Sequence, residues 1–169
     1  MKGTEVIADG FGRIREVVHE VVEGLSAEEL NARIDPAANS IAWLVWHLTR
    51  VQDDHVADAA GLDQVWAAGG WEDRFGLGLP AGATGYGHSA RQAGTVRVDA
   101  YELLLGYVDA VHEQTLRFVR ELAAADLDRV VDERWDPPVT LGVRLVSVLA
   151  DDLQHAGQAA YVRGVLERR

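Results

Sequence analysis

The apolar positions of this chain fall into four long stretches that keep the 3.6-residue period of an α-helix. The first runs over 4–24, where Val6, Ile7, Phe11, Ile14, Val18 and Val21 recur at helical spacing and Gly24 marks the end. Ser26-Ala27-Glu28-Glu29 reads as a capping box, in which a hydroxyl and a carboxylate each satisfy a free amide of the first helical turn. It starts a short piece that ends near Asn31, before the Asp35-Pro36 turn. The second stretch, 39–60, takes Asn39 or Ser40 as its cap and buries Ile41, Leu44, Val45, Leu48 and Val51. The third, 99–124, takes Asp99 as cap and carries Leu103, Leu104, Tyr107, Val108, Val111 and Val119. The fourth, 140–166, follows a Trp135-Asp136-Pro137-Pro138 turn and is capped by Thr140.

Residues 62–97 lose the pattern. They are rich in glycine, and Trp66, Trp71 and Phe75 predict that the first half of the segment packs onto the body. A loop of this length inside a compact domain serves as a lid, as a binding loop or as a mobile segment. No segment alternates with the period of two that a strand requires, so no strand is predicted. The reading is a single all-α domain over 1–169. It is an antiparallel up-down four-helix bundle with a long crossover between the second and third helices.

Composition narrows the function classes. A formal net charge of -11, with Lys2 the one lysine, argues against nucleic acid, whose binding rests on neutralised phosphates. No apolar run approaches the ~20 residues of a membrane span. The first residues lack the basic and apolar regions of a secretory signal, so a cytoplasmic location is expected. With no cysteine there is no disulfide, no thiolate ligand and no cysteine nucleophile.

The candidate chemistry lies in the last helix, where Asp151-Asp152-Leu153-Gln154-His155-Ala156-Gly157-Gln158 interrupts an apolar run. Residues four apart share a helix face, so Asp151 and His155 point the same way. A carboxylate and an imidazole amid apolar neighbours are costly unless compensated. Either they satisfy each other or they share a metal ion. His47 sits at or beside the buried stripe of the second helix, with Asp54 in line with it seven residues on. Asp54 and Gln158 are candidates to hold the ligands from behind. Asp152 is read as a surface residue, Gly157 as a point of close helix approach, and His19, His55 and His112 as packing residues. Arg50 and Arg163 are read as receivers of acidic substrate groups, Arg163 alternatively as a partner of Asp151 or Asp152. His88, in the glycine-rich loop, is a candidate for a lid over the site.

Trp43-Leu44-Val45-Trp46-His47-Leu48, followed about a hundred residues later by Asp151, His155, Ala156, Gly157 and Gln158, resembles the DinB/YfiT-like metalloenzyme superfamily. The likeness spans nearly the whole chain. It implies a divalent ion, zinc first and nickel second, held by His47, Asp151 and His155. Most members have histidine where this chain has Asp151. A carboxylate there resembles the mycothiol-dependent, maleylpyruvate isomerase-like branch, in which glutamate is the residue expected. The resemblance thus implies a metal-dependent thiol transferase or isomerase, with mycothiol as co-substrate and homodimers in many relatives. The first and third long helices are read as apolar enough to serve both core and partner. A metal-dependent hydrolase on the same ligands, or a non-catalytic metal-containing bundle that binds a small molecule or a partner, are the alternatives.

Overall fold

Four long helices carry the fold in the computed structural model, which describes residues 2–168. In chain order these and their connections are α1 (Gly3–Val22), the short α2 (Ala27–Asn31) and α3 (Ile41–Ala60). Three single-turn helices follow, α4 (Val65–Ala68), α5 (Trp71–Phe75) and α6 (Ala90–Ala93). Then come α7 (Tyr101–Glu121), a 3-10 turn over Ala124–Asp128, β1 (Val130–Asp132), β2 (Val139–Thr140) and α8 (Leu141–Leu166). The long helices pack in a closed ring, α1 on α8, α8 on α3, α3 on α7 and α7 on α1. The all-α bundle expected from the periodicity is the architecture observed.

Local chemistry sets the helix ends. Ser40 accepts from the Trp43 amide at 3.2 Å, and Gly61, at φ +66, closes α3 in a conformation that costs glycine nothing. Thr140 caps α8 through the Val143 amide. Ser26 and Glu29 form the predicted capping box. Asp99 does not cap α7: the cap position falls on Ala100, whose backbone is extended. The loop end is held instead by Asn31, which donates to the Val98 carbonyl at 2.6 Å and accepts from the Val98 amide at 3.0 Å.

Two short strands depart from the sequence reading. β1 and β2 pair antiparallel, Val130 opposite Thr140 and Asp132 opposite Val139. Three and two residues are too few for an alternating pattern to declare itself. The turn between them contains a cis Asp136–Pro137 peptide.

The crossover is tied down by a charged group that the sequence placed at a binding site. Arg50 is wholly buried and is therefore unavailable to a substrate. Its guanidinium donates to the carbonyls of Ala81 and Ala83, to Gln64 and to the Tyr107 hydroxyl, and it lies 4.9 Å from the centre of the Trp66 ring. Asp53, one turn on, accepts from the amides of Val65 and Trp66 and from the Tyr107 hydroxyl at 2.7–2.8 Å. Trp66 and Phe75 are buried against Tyr107, as the aromatic content of the segment predicted.

α8 holds two further corrections. Asp152 is not at the surface; it is fully buried on the stripe formed by Leu145, Val148, Ala156 and Ala159. One hundred degrees of helical rotation separate it from Asp151, so the two neighbours serve different faces. Neither Asp152 oxygen has a hydrogen-bond partner, and burial pushes its pKa well above the usual carboxylate range. Between the unfolded pKa near ~3.9 and this raised value the folded state holds a proton that the unfolded state has released, so stability falls as pH rises. Asp152→Asn, neutral at every pH, is therefore expected to gain on the wild type as pH rises from 5 to 8, read as a difference in thermal midpoints with metal chelated. A constant difference across that range would contradict a protonated Asp152. Gly157 does not mediate close packing: a Cβ there meets nothing within 4 Å.

Candidate metal centre

α3 and α8 meet along the buried stripes that hold the core together, and this contact brings the three candidate ligands into one place. His47 from α3 and Asp151 and His155 from α8 each offer a ligand atom, all within 4.8 Å of one another. His47 is buried at 5% exposure, while Asp151 and His155 lie at the half-exposed edge. The two imidazoles meet edge to face with ring centres 4.7 Å apart. Trp43, one turn before His47, stacks on it at 4.5 Å and 17°, which fixes the plane of the ring.

Both histidines are presented in the tautomer that a metal requires. His47 Nδ1 donates to the Thr84 carbonyl at 2.5 Å, and His155 Nδ1 donates to Gln158 Oε1 at 2.9 Å. Each Nδ1 proton being committed, each Nε2 carries a free lone pair. His155 Nε2 lies 3.7 Å from Asp151 Oδ1, too far for a hydrogen bond, so the pair does not simply satisfy itself. Asp151 Oδ2 is buried with no hydrogen-bond partner. A buried, unsatisfied carboxylate oxygen beside two imidazole lone pairs is a donor set short of a cation, and a divalent ion fits it. Burial, first of all, lowers the His47 pKa, with His155 nearby acting in the same direction and the Thr84 carbonyl and Asp151 opposing it. The ring is thereby kept neutral, as a ligand must be.

The expectation that Asp54 would orient His47 is not met. Its carboxylate accepts from Gln64 Nε2 at 2.8 Å and lies 3.8 Å from His55, which lines the same pocket. Gln158 does contact the site, through His155. Arg163 reaches neither Asp151 nor Asp152; it donates to the carbonyls of Glu20 and Val21 at the end of α1 and pairs with Glu167. His88, the lid candidate, is stacked on Trp46 and accepts from Trp43 Nε1 at 3.2 Å, and it does not line the cavity at the site. His55 accepts from Arg144 and is held neutral by burial and by that guanidinium.

The crossover closes on His47 at Gly85, which the sequence did not single out. Its φ is +92, and a Cβ built there would stand 2.9 Å from His47 Nδ1 and 3.0 Å from Trp46. Only glycine allows the Thr84 carbonyl to reach the ring. Gly85→Ala is expected to cost about 1–3 kcal/mol of stability and to weaken metal binding about 10–100-fold, as loss of an outer partner does. Zinc titration by calorimetry on the folded variant reads the second effect; unchanged affinity would show that Thr84 does not matter to His47.

His47 and Asp151 open into a cavity of about 620 Å³. Val51, Val139, Val143 and Val148 give it an apolar wall, and Tyr86 and Trp135, 92% and 66% exposed, stand at its rim. It is also lined by Asp132, which accepts from Arg134 at 2.8 Å and Arg144 at 3.1 Å and is held well below the usual carboxylate range chiefly by Arg134. The small β1–β2 hairpin delivers Asp132 and Arg134, α8 delivers Arg144, and the hairpin's only trace in the sequence is the Val-Val-Asp run before the double proline.

A search among curated proteins finds no match. The fold is similar to the crystal structure of a conserved protein from Enterococcus faecalis, with a TM-score of 0.93 and 31% identity over 100% of this chain and 99% of that one. The family model for the DinB superfamily matches residues 11–159. The chain belongs to the DinB superfamily.

Proposed function

We propose that this protein is a divalent-metal-dependent enzyme that transfers or isomerises through a low-molecular-weight thiol, mycothiol in the first place. The observation that carries the reading is the cluster of His47, Asp151 and His155, with ligand atoms within 4.8 Å of one another and an orphaned Asp151 oxygen, beside a large, partly apolar cavity that His47 and Asp151 line. His47, Asp151 and His155 would hold the ion. Zinc in such a set leaves a position open and lowers the pKa of a thiol or a water there.

The rest is supplied by the chain. Thr84 and Gln158 keep both imidazoles in one tautomer, Trp43 keeps His47 in one plane, and Asp151 reduces the net charge of the centre. The valine wall excludes water from one side of the cavity and suits an apolar electrophile. The chain has no cysteine, so thiol chemistry here requires a borrowed thiol. A carboxylate at position 151 supports the mycothiol-dependent branch over members with three histidines.

The test offers zinc-loaded protein a fluorogenic electrophile such as monochlorobimane, with mycothiol, with other cellular thiols and with none. Conjugation that needs both metal and thiol is the expected result. Ester or amide hydrolysis without thiol dependence would replace the reading with a hydrolase, and inactivity in both assays would leave a metal-containing binding protein.

A further inference from the structure

The cavity beside the metal centre is lined by a cation that the metal chemistry leaves unused. Arg144 has its side chain 11% exposed. Its Nη1 donates to His55 Nδ1 at 2.9 Å and its Nη2 to Asp132 at 3.1 Å. Neither partner uses up the charge. His55 is held neutral, and Asp132 is already matched by Arg134, whose Nε and Nη2 reach its two oxygens at 2.9 and 2.8 Å and whose amide adds a third bond at 3.0 Å. Two guanidiniums thus share one carboxylate, and the bidentate pair with Arg134 would hold that carboxylate alone. A surplus guanidinium so far withdrawn from water is costly unless a further anion meets it. The carboxylate of Asp54, beside His55, is committed to Gln64. With a divalent ion on Asp151, positive charge lining the cavity exceeds negative, in a chain whose net charge is -11.

Helical register sets how far this group stands from the metal centre. α3 and α8 run antiparallel, with His47 beside Asp151 and His155 at one level and His55 bonded to Arg144 at another. The two levels are two turns apart on both helices, ~10–12 Å along the axis. One turn in from each, Val51 on α3 and Val148 on α8 make the lining apolar. We propose that Arg144, supported by Arg134, binds a carboxylate of the substrate, and that the electrophile taken by this cavity is an elongated acid with an apolar body between its reacting carbon and its carboxylate. The inference rests on the thiol-and-metal reading above and adds to it a length and a charge. Mycothiol bears no carboxylate, so the anion falls to the electrophile. Asp132 is then a built-in competitor, which keeps both guanidiniums in place while no substrate is bound.

The test is a ruler made of ω-mercapto acids, which offer a thiol to the metal and a carboxylate to Arg144, titrated into zinc-loaded protein by calorimetry beside the matching ω-mercapto alcohols. Mercaptooctanoate, long enough to span both levels, should bind about 10–100-fold more tightly than mercaptooctanol, the worth of a charge-assisted hydrogen bond. Mercaptopropionate, too short to span them, should show no such preference over mercaptopropanol. Arg144→Gln should abolish the preference for the long acid. Arg134→Gln, at a side chain 84% exposed, should reduce it by leaving Asp132 to Arg144 alone, and Asp132→Asn should enlarge it by removing the competitor. A merely structural Asp132 would not give that gain. Equal affinity of acid and alcohol at the long length overturns the inference and leaves the thiol-and-metal reading intact. An acid preference that Arg144→Gln and Arg134→Gln leave unchanged overturns it as well. An Arg144-dependent preference of the same size with and without zinc would keep the carboxylate site and remove the thiol from the metal, and failure of every thiol to bind would end both.

Discussion

His155→Ala is expected to keep the bundle and lose the metal. The imidazole lies on the edge of α8 rather than in its buried stripe, so its removal leaves Leu145, Val148, Ala156 and Ala159 packed as before. What disappears is one of three donors, together with the purpose of the Gln158 contact. Losing an outer partner such as Gln158 costs about 10–100-fold in affinity, and losing a ligand must cost more. Gln158→Ala and His155→Ala therefore form a graded pair. Zinc affinity should fall by about one to two orders of magnitude in the first and beyond ready measurement in the second, while far-ultraviolet circular dichroism of both stays that of the wild type. Equal affinity in His155→Ala and wild type would remove His155 from the site.

Arg50→Ala is expected to be the most destabilising single substitution named here. Its guanidinium is fully buried and holds five groups, among them two carbonyls of the crossover and Asp53. Removing one member of a buried ion pair costs about 3–5 kcal/mol, because the remaining charge is left without its partner. Burial already raises the pKa of Asp53, against hydrogen bonds from Tyr107, Trp66 and Val65 and the charge of Arg50 that lower it. At about 2–4 °C per kcal/mol for a chain of this length, the thermal midpoint should fall by roughly 10 °C. The crossover should loosen with it, since Ala81 and Ala83 are held by Arg50 immediately before the Thr84 carbonyl that fixes His47. Metal affinity should therefore fall too, although Arg50 touches no ligand. Arg50→Lys should rescue little, a point charge being unable to serve carbonyl, amide and phenol in one plane. A midpoint within 2 °C of the wild type would show that the crossover is held by its aromatic residues alone.

How far the sequence reaches can be judged residue by residue. The four long helices were legible because their apolar positions keep one period over about twenty residues, and a period that long admits few other folds. The grouping of Asp151 with His155 was legible because helical geometry alone puts residues four apart together. Bringing His47 to them across a hundred residues needed the family resemblance. Other features left no readable mark. The group that orients His47 is a backbone carbonyl, which any residue at position 84 would supply, and what permits it is the glycine that follows. Arg50 and Asp152 were misplaced because charge argues for a surface, an argument that fails where a network neutralises one and burial pushes the pKa of the other up.

The central claim is that His47, Asp151 and His155 form one divalent-metal centre. Anomalous diffraction from crystals of the zinc-loaded protein, recorded on both sides of the zinc absorption edge, tests it most directly. One strong peak per chain, lying between the Nε2 atoms of His47 and His155 and the carboxylate of Asp151, is the predicted result. A peak seated elsewhere, or none at that position in crystals whose protein carries stoichiometric zinc in solution, would contradict it.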